Sequence, residues 1–194
     1  MKQYFYSIFI IIFLCLQIFS QQVVNENKPA KMNSKVTITN TAGKVSITGW
    51  ENEEVSVKGT IGKNVKELKF TSNENKIIIE VVILDKFLNK GKNINSFLDI
   101  KIPNKSNLVI NSISSDIDIS NITGNAKIKT VSGDINNNGD LQIVDIETIS
   151  GDIKINGNLK ELDIDTISGD IDIAGISEYL ETGIISGDID INGS

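Results

Sequence analysis

The sequence predicts an all-β fold, a single-stranded parallel β-helix (β-solenoid) wound in 18-residue coils, and three observations carry that prediction. One phrase occurs five times, as Ser114-Ser-Asp-Ile117, Ser132-Gly-Asp-Ile135, Ser150-Gly-Asp-Ile153, Ser168-Gly-Asp-Ile171 and Ser186-Gly-Asp-Ile189, at a constant step and without an insertion. A period held that strictly gives each copy the same place in a stacked unit. With the repeated serine as column one, column four is always Ile and column eight is Asn121, then Gly139, Gly157, Gly175 and Gly193. Column thirteen is Ala126, Val144, Leu162 and Leu180, and column fifteen is Ile128, Ile146, Ile164 and then Thr182. Apolar residues two apart, broken by turn residues, make short half-buried strands rather than helices.

The elements follow in chain order. Residues 1–20 hold one positive charge, Lys2, then an apolar run from Tyr4 to Phe19 and the small Ser20. That pattern is a secretory signal peptide with cleavage after Ser20, and it places the protein outside the cytoplasm: periplasm, outer-membrane surface or extracellular. Residues 21–34 lack alternation and read as an extended leader. The solenoid is expected over 35–194, with irregular coils over 35–110 and the repeats over 111–194. The early strand signals, Val36-x-Ile38, Val45-x-Ile47 and Val55-x-Val57, recur at about half the later period, which fits two strands per coil. Asp85 to Ser96 interrupts the pattern and reads as a projecting loop.

In a stack of such coils, equivalent residues lie about 4.8 Å apart and successive backbones bond as a parallel sheet. A left-handed helix of hexapeptides would place aliphatics at columns four, ten and sixteen. Column sixteen is Lys129, Glu147, Asp165 and Gly183, which points to the right-handed sense.

Composition removes most chemistry. Without residues 1–20 the chain has 18 lysines against 25 acids, a net charge of −7, and no Arg, His or Cys. Disulfides, Ser-His-Asp or Cys-His catalysis and the usual zinc sites are therefore unavailable. Acidic charge without basic clusters also argues against nucleic acid. No catalytic residue, cofactor or metal is assigned.

The column-three carboxylates Asp116, Asp134, Asp152, Asp170 and Asp188 need an explanation. Neighbours stacked about 5 Å apart repel by about 0.8 kcal/mol in water and about 3 kcal/mol at an effective dielectric of 20. The row must be solvated or neutralised. In the preferred reading Ser-Gly-Asp is a turn in which Asp accepts backbone N–H groups. The alternative is calcium between coils, with Asp134, Asp152, Asp170 and Asp188 as candidate ligands. A second rank, Thr130-x-Ser132, Thr148-x-Ser150 and Thr166-x-Ser168, is either an outward hydroxyl array or an inward polar ladder. The inward choice is favoured because Ile128, Ile146 and Ile164 lie two residues earlier on the same strand face. Trp50, the one tryptophan, is expected to fill the N-terminal core rather than form a sugar platform.

The run Asn40-Thr-Ala-Gly43-Lys-Val-Ser-Ile47-Thr-Gly-Trp50, then Glu54-Val-Ser-Val57, Leu98-Asp-Ile-Lys-Ile-Pro103 and the serial Ser-Gly-Asp-Ile repeats resembles the bacterial putative-adhesin family of exported β-solenoids. It is more distantly similar to the head domain of auto-transporter adhesins. The resemblance covers Lys35 to the end and implies an envelope-associated β-helical protein with no established catalytic residue.

The resulting expectation is a noncatalytic exported envelope or surface module that binds a glycan or a surface protein through repeated weak contacts along an acidic sheet face. The alternative is a polysaccharide-degrading β-helix enzyme, a lyase or glycoside hydrolase. Paired glycosidase carboxylates would need a cleft at a separation of about 5–10 Å. The sequence reaches Ser194 midway through a coil, so an open last edge and end-to-end self-association are also expected.

Overall fold

The computed structural model describes residues 21–84, 93–175 and 177–192. The expected signal peptide and most of the expected loop at 85–96 lie outside the described residues. Among these residues there are fourteen strands and no helix, and the strands join in one sheet that curls on itself.

The N-terminal half departs from a simple coil-after-coil order. Strand β1 (Gln22–Trp50) is followed by β2 (Glu54–Ile61), β3 (Val65–Ser72), β4 (Glu74–Ile83), β5 (Ser96–Pro103) and β6 (Asn107–Ser120). Residues 35–39 of β1 run parallel to β4 on one side and to β6 on the other, and residues 43–48 lie likewise between β5 and β6. So β1 is the central coil, and β4 and β5 sit on its far side from β6. Its half-coil spacing survives: Ile38 pairs with Ile110 and Ile47 with Ile119.

Two expectations for this half are corrected. The segment at 21–34 is extended but is no free leader, because Gln22 to Pro29 pair antiparallel with β2. Backbone pairing holds it without an apolar face, which is why alternation gives no warning: only Val24 and Ala30 there are buried apolar residues. Nor does 35–110 consist of irregular parallel coils alone, since β2 runs antiparallel to β5 and β3 antiparallel to β4. These strands turn back across the end of the stack, and the charged Lys66, Glu67 and Lys69 of β3 blunt its outer edge.

The repeat half is regular. Beyond β6 the chain alternates between two sheet faces. β8 (Ile135–Asn138), β10 (Ile153–Asn156), β12 (Ile171–Ala174) and β14 (Ile189–Ile191) continue the first face; β7 (Ala126–Lys129), β9 (Ile143–Glu147), β11 (Leu159–Ser168) and β13 (Ser177–Ser186) continue the second. Every pair is parallel, with partners one repeat apart: Ile117 to Ile135 to Ile153 to Ile171 to Ile189 on one face, Val144 to Leu162 to Leu180 on the other.

Between the faces lies the core. Columns four and six point in from the first face, columns thirteen and fifteen from the second, and Ile122, Leu141 and Leu159 fill the far corner. The exception in column six is Asn137, which is fully buried; its Nδ2 donates to the Gly139 carbonyl at 2.9 Å. In the last described coil, Ile189 and Ile191 remain exposed because β14 is paired on one side only among the described residues.

Candidate functional site

The surface feature with most claim to function is the corner that joins the two faces, columns seventeen to three. Where this corner is strand, as at Thr166–Ser168 in β11, successive side chains go to opposite sides, and the bends at the equivalent positions of the two coils before it keep the same inward and outward order. Thr130, Thr148 and Thr166 turn inward and are buried, and each hydroxyl donates to the carbonyl two residues on, Ser132, Ser150 and Ser168, at 3.0–3.2 Å. The inward reading of the threonines holds, and an outward threonine array is excluded. The serines are half-buried, and their hydroxyls donate to the carbonyls of Ile113, Val131 and Ile149 in the preceding coil at 3.3–3.4 Å.

Column eighteen lies between threonine and serine and must therefore face out. It is Ile113, Val131, Ile149, Ile167 and Ile185, with exposures of 54, 44, 48, 47 and 80%. This is a straight row of β-branched aliphatics at the coil spacing. Hydrophobicity alone hides it, because isoleucine reads as core. The alternation that sends Thr148 inward is the signal that sends Ile149 out.

The aspartate row borders this ridge. Asp116, Asp134, Asp152, Asp170 and Asp188 are all exposed. Each of the first four accepts, through Oδ1, the backbone N–H of the next aspartate at 3.0–3.2 Å. The carboxylates thus act as turn acceptors that stitch coil to coil. Exposure puts their mutual repulsion near the aqueous end of the range, below the roughly 1.5–3 kcal/mol of a hydrogen bond to a charged group. The calcium candidates Asp134, Asp152, Asp170 and Asp188 stand in this row, and among the described residues no group of three or more acidic side chains is arranged to hold a metal ion.

The same corner explains the odd first copy of the repeat. Column two is Gly133, Gly151, Gly169 and Gly187, all at φ between 110 and 137°. At Gly151 a Cβ would lie 2.3 Å from the Gly133 carbonyl oxygen. Ser115 occupies the column without a positive φ, and its Oγ receives the Nδ2 of Asn40 at 3.0 Å.

The second face is charged. Lys127 bonds Asp145 and Glu147, and Lys129 bonds Glu147 at 2.5 Å, which holds the Glu147 carboxyl below its ordinary range, with the Lys129 contact the larger cause. Farther along, Asp163 has no such partner among the described residues. Burial, and then the charges of Asp165, Glu181, Asp145 and Glu161, push its pKa up.

Trp50 is corrected. It is half-buried and outside the core; its indole N–H donates to the Glu54 carbonyl at 2.8 Å and Lys101 lies 5.7 Å from the ring centre. The aliphatics of columns four and six fill the interior, so the indole lies at the strand end instead, where its N–H finds a carbonyl.

Comparison with solved structures places the fold. A putative cell adhesion protein from Clostridium sporogenes ATCC 15579 is similar over 89% of this chain and 100% of its own, with a TM-score of 0.53 and 13% identity. A putative adhesin from Bacteroides fragilis NCTC 9343 aligns over 88% of this chain and 97% of its own, with a TM-score of 0.45 and 13% identity. At 13% identity the likeness to the C. sporogenes protein is one of fold. No curated protein matches the chain. Residues 30–194 match the family described as Toastrack DUF4097, and the chain belongs to that family.

Proposed function

We propose that this protein is a noncatalytic, exported surface-binding module of the adhesin kind, a right-handed β-helix of 18-residue coils that presents the column-eighteen ridge to a protein partner. The ridge carries the proposal. A contiguous row of five half-exposed or more exposed aliphatics is costly in water unless something covers it. Polar residues at column eighteen would keep every ladder intact, so the fold itself does not require the row.

Charge states the partner's chemistry. The aspartate row runs along one side of the ridge; on the other, column sixteen holds Lys129, Glu147 and Asp165, where Lys127 and Lys129 offset Glu147 and the net charge lies with the aspartates. An apolar groove rimmed by lysine or arginine complements that arrangement, whereas an anionic lipid surface would be repelled. Each coil offers the same small contact. Repetition along the axis converts weak contacts into a firm one through effective concentration. The name of the C. sporogenes protein agrees with this reading. The alternative of a glycan-degrading enzyme gains no support from the carboxylates, because the repeated aspartates share one role and no pair stands apart.

The test is attachment of purified protein to cells of the producing organism, before and after trypsin has shaved their surface proteins. The double variant Ile149→Glu/Ile167→Glu, with an unchanged melting temperature, is expected to lose attachment, and shaving is expected to abolish it for the unaltered protein. Undiminished attachment by the double variant would overturn the ridge as the binding surface.

A further inference from the structure

The first face carries a second feature, two strands from β6, where Phe97 lies opposite Lys44 and Lys44 opposite Asp116. Where β2 and β5 meet, a shallow recess of about 300 Å³ is bounded by Phe97, Lys58, Asp99, Lys44 and Ser46 over Gly59. Phe97 is 49% exposed on the outer side of the sheet, an aromatic surface that no strand covers among the described residues. Gly59 makes the recess: at φ 144° its backbone approaches so closely that a Cβ would lie 1.9 Å from the Phe97 carbonyl oxygen. Any larger residue would push β2 from β5, so the close pairing and a floor without a side chain arise together.

Polar groups of both signs stand around the ring. Lys58 and Asp99 are directly opposite in the β2–β5 register and both exposed, yet neither has an ion-pair partner among the described residues. Lys44 is committed to Asp118 at 2.6 Å. The recess thus offers an aromatic face, an ammonium donor, a carboxylate acceptor and the Ser46 hydroxyl.

The geometry points to a carbohydrate subsite that takes one neutral pyranose of a glycan. Stacking on Phe97 suits the C–H face of a sugar ring, while Asp99 accepts from one hydroxyl and Lys58 donates to its neighbour. Other ligand classes fit worse. An anionic ligand meets Asp99 and a chain of net charge −6, a cationic one meets Lys58, the recess ammonium that no carboxylate offsets among the described residues, and a purely apolar one would strip water from charges without replacing the hydrogen bonds. The volume stands at the lower end of ligand pockets, as a single ring requires.

The test is titration of purified protein, ring-labelled at phenylalanine, with maltohexaose, cellohexaose, mannohexaose and chitohexaose, with polygalacturonate as the anionic comparator, followed by NMR. At least one neutral oligosaccharide is expected to shift the Phe97 ring signals saturably. Phe97→Ala and Asp99→Asn are each expected to weaken that binding about tenfold, read by calorimetry, while Ile149→Glu/Ile167→Glu leaves it unchanged. The inference is overturned by unmoved Phe97 signals with all four neutral sugars, by binding that survives Phe97→Ala, by preference for polygalacturonate, or by release of new reducing ends. None of these outcomes bears on the ridge, so the two proposals fail separately.

Discussion

Asp152 has to accept a backbone N–H while standing between two other carboxylates, and the balance of those effects is measurable. Its Oδ1 accepts from the Asp170 N–H at 3.0 Å. Asp152→Ala removes the acceptor and is expected to cost about 1 kcal/mol, the scale of a lost side-chain cap. Asp152→Asn keeps an acceptor oxygen and removes two repulsions, so its melting temperature should equal or exceed that of the unaltered protein. Millimolar calcium should act on the melting temperature no differently from magnesium at equal ionic strength. A saturable rise specific to calcium, blunted by Asp152→Asn, would instead assign the row to a metal. At Gly151 the constraint is steric. A Cβ there would meet the neighbouring coil's carbonyl at 2.3 Å, so Gly151→Ala should destabilise by more than the ordinary cost of about 1 kcal/mol for a misplaced alanine.

At the scale of the strand, burial and charge divide the two sides cleanly. Inside, Ile153 stacks on Ile135 and Ile171, and Ile153→Asp would bury an unpaired carboxylate among them. Thermal unfolding should show a loss of several kcal/mol or no folded array at all. Outside, β11 concentrates acid. The folded-state pKa of Asp163 is raised by burial and then by its neighbours' charges, so the native state binds its proton more tightly than the unfolded chain does. Its ionisation therefore opposes folding, and that penalty is relieved as pH falls through the folded pKa. Asp163→Asn should raise the melting temperature slightly at neutral pH, and the gain should vanish below the ordinary carboxylate range. Glu147 behaves oppositely: its lysine contacts lower its pKa, so their contribution is lost as pH falls. Equal effects of Asp163→Asn at neutral and low pH would contradict this assignment.

The strands also mark how far sequence reading reaches. Columns four, thirteen and fifteen are legible because a recurring aliphatic at a fixed spacing leaves one place for it, inside. Thr148 is legible from the isoleucine two residues before it on the same face. Gln22 to Pro29 are not, since their stability comes from main-chain pairing with β2, which leaves no mark in side-chain pattern. The position of β1 between β4/β5 and β6 is equally silent, because strand order depends on which backbone edges meet. Trp50 misleads because a large apolar ring suggests the core while its N–H requires an acceptor. The ridge at column eighteen was within reach, as alternation fixes its direction. The Phe97 recess was not: it depends on the approach of Gly59 to β5, a strand distant in the chain.

For the whole molecule, register is the source of stability, and the proposed binding ridge depends on it as well. Each ladder exists because partners recur at one constant step along the chain, and the ridge is straight for the same reason. A one-residue slip would send every inward side chain of a strand to the outside. The most direct test removes one coil. Deletion of residues 150–167 takes out a whole repeat, rejoins Ile149 to Ser168 and restores each ladder, so the shortened protein should keep its far-UV circular dichroism and unfold cooperatively at a somewhat lower temperature. Deletion of residues 150–166 leaves the register one position out and should abolish cooperative unfolding of the segment beyond the junction. If the two deletions melt alike, the 18-residue ladder does not hold this molecule together, and the ridge built on it has no fixed geometry to present.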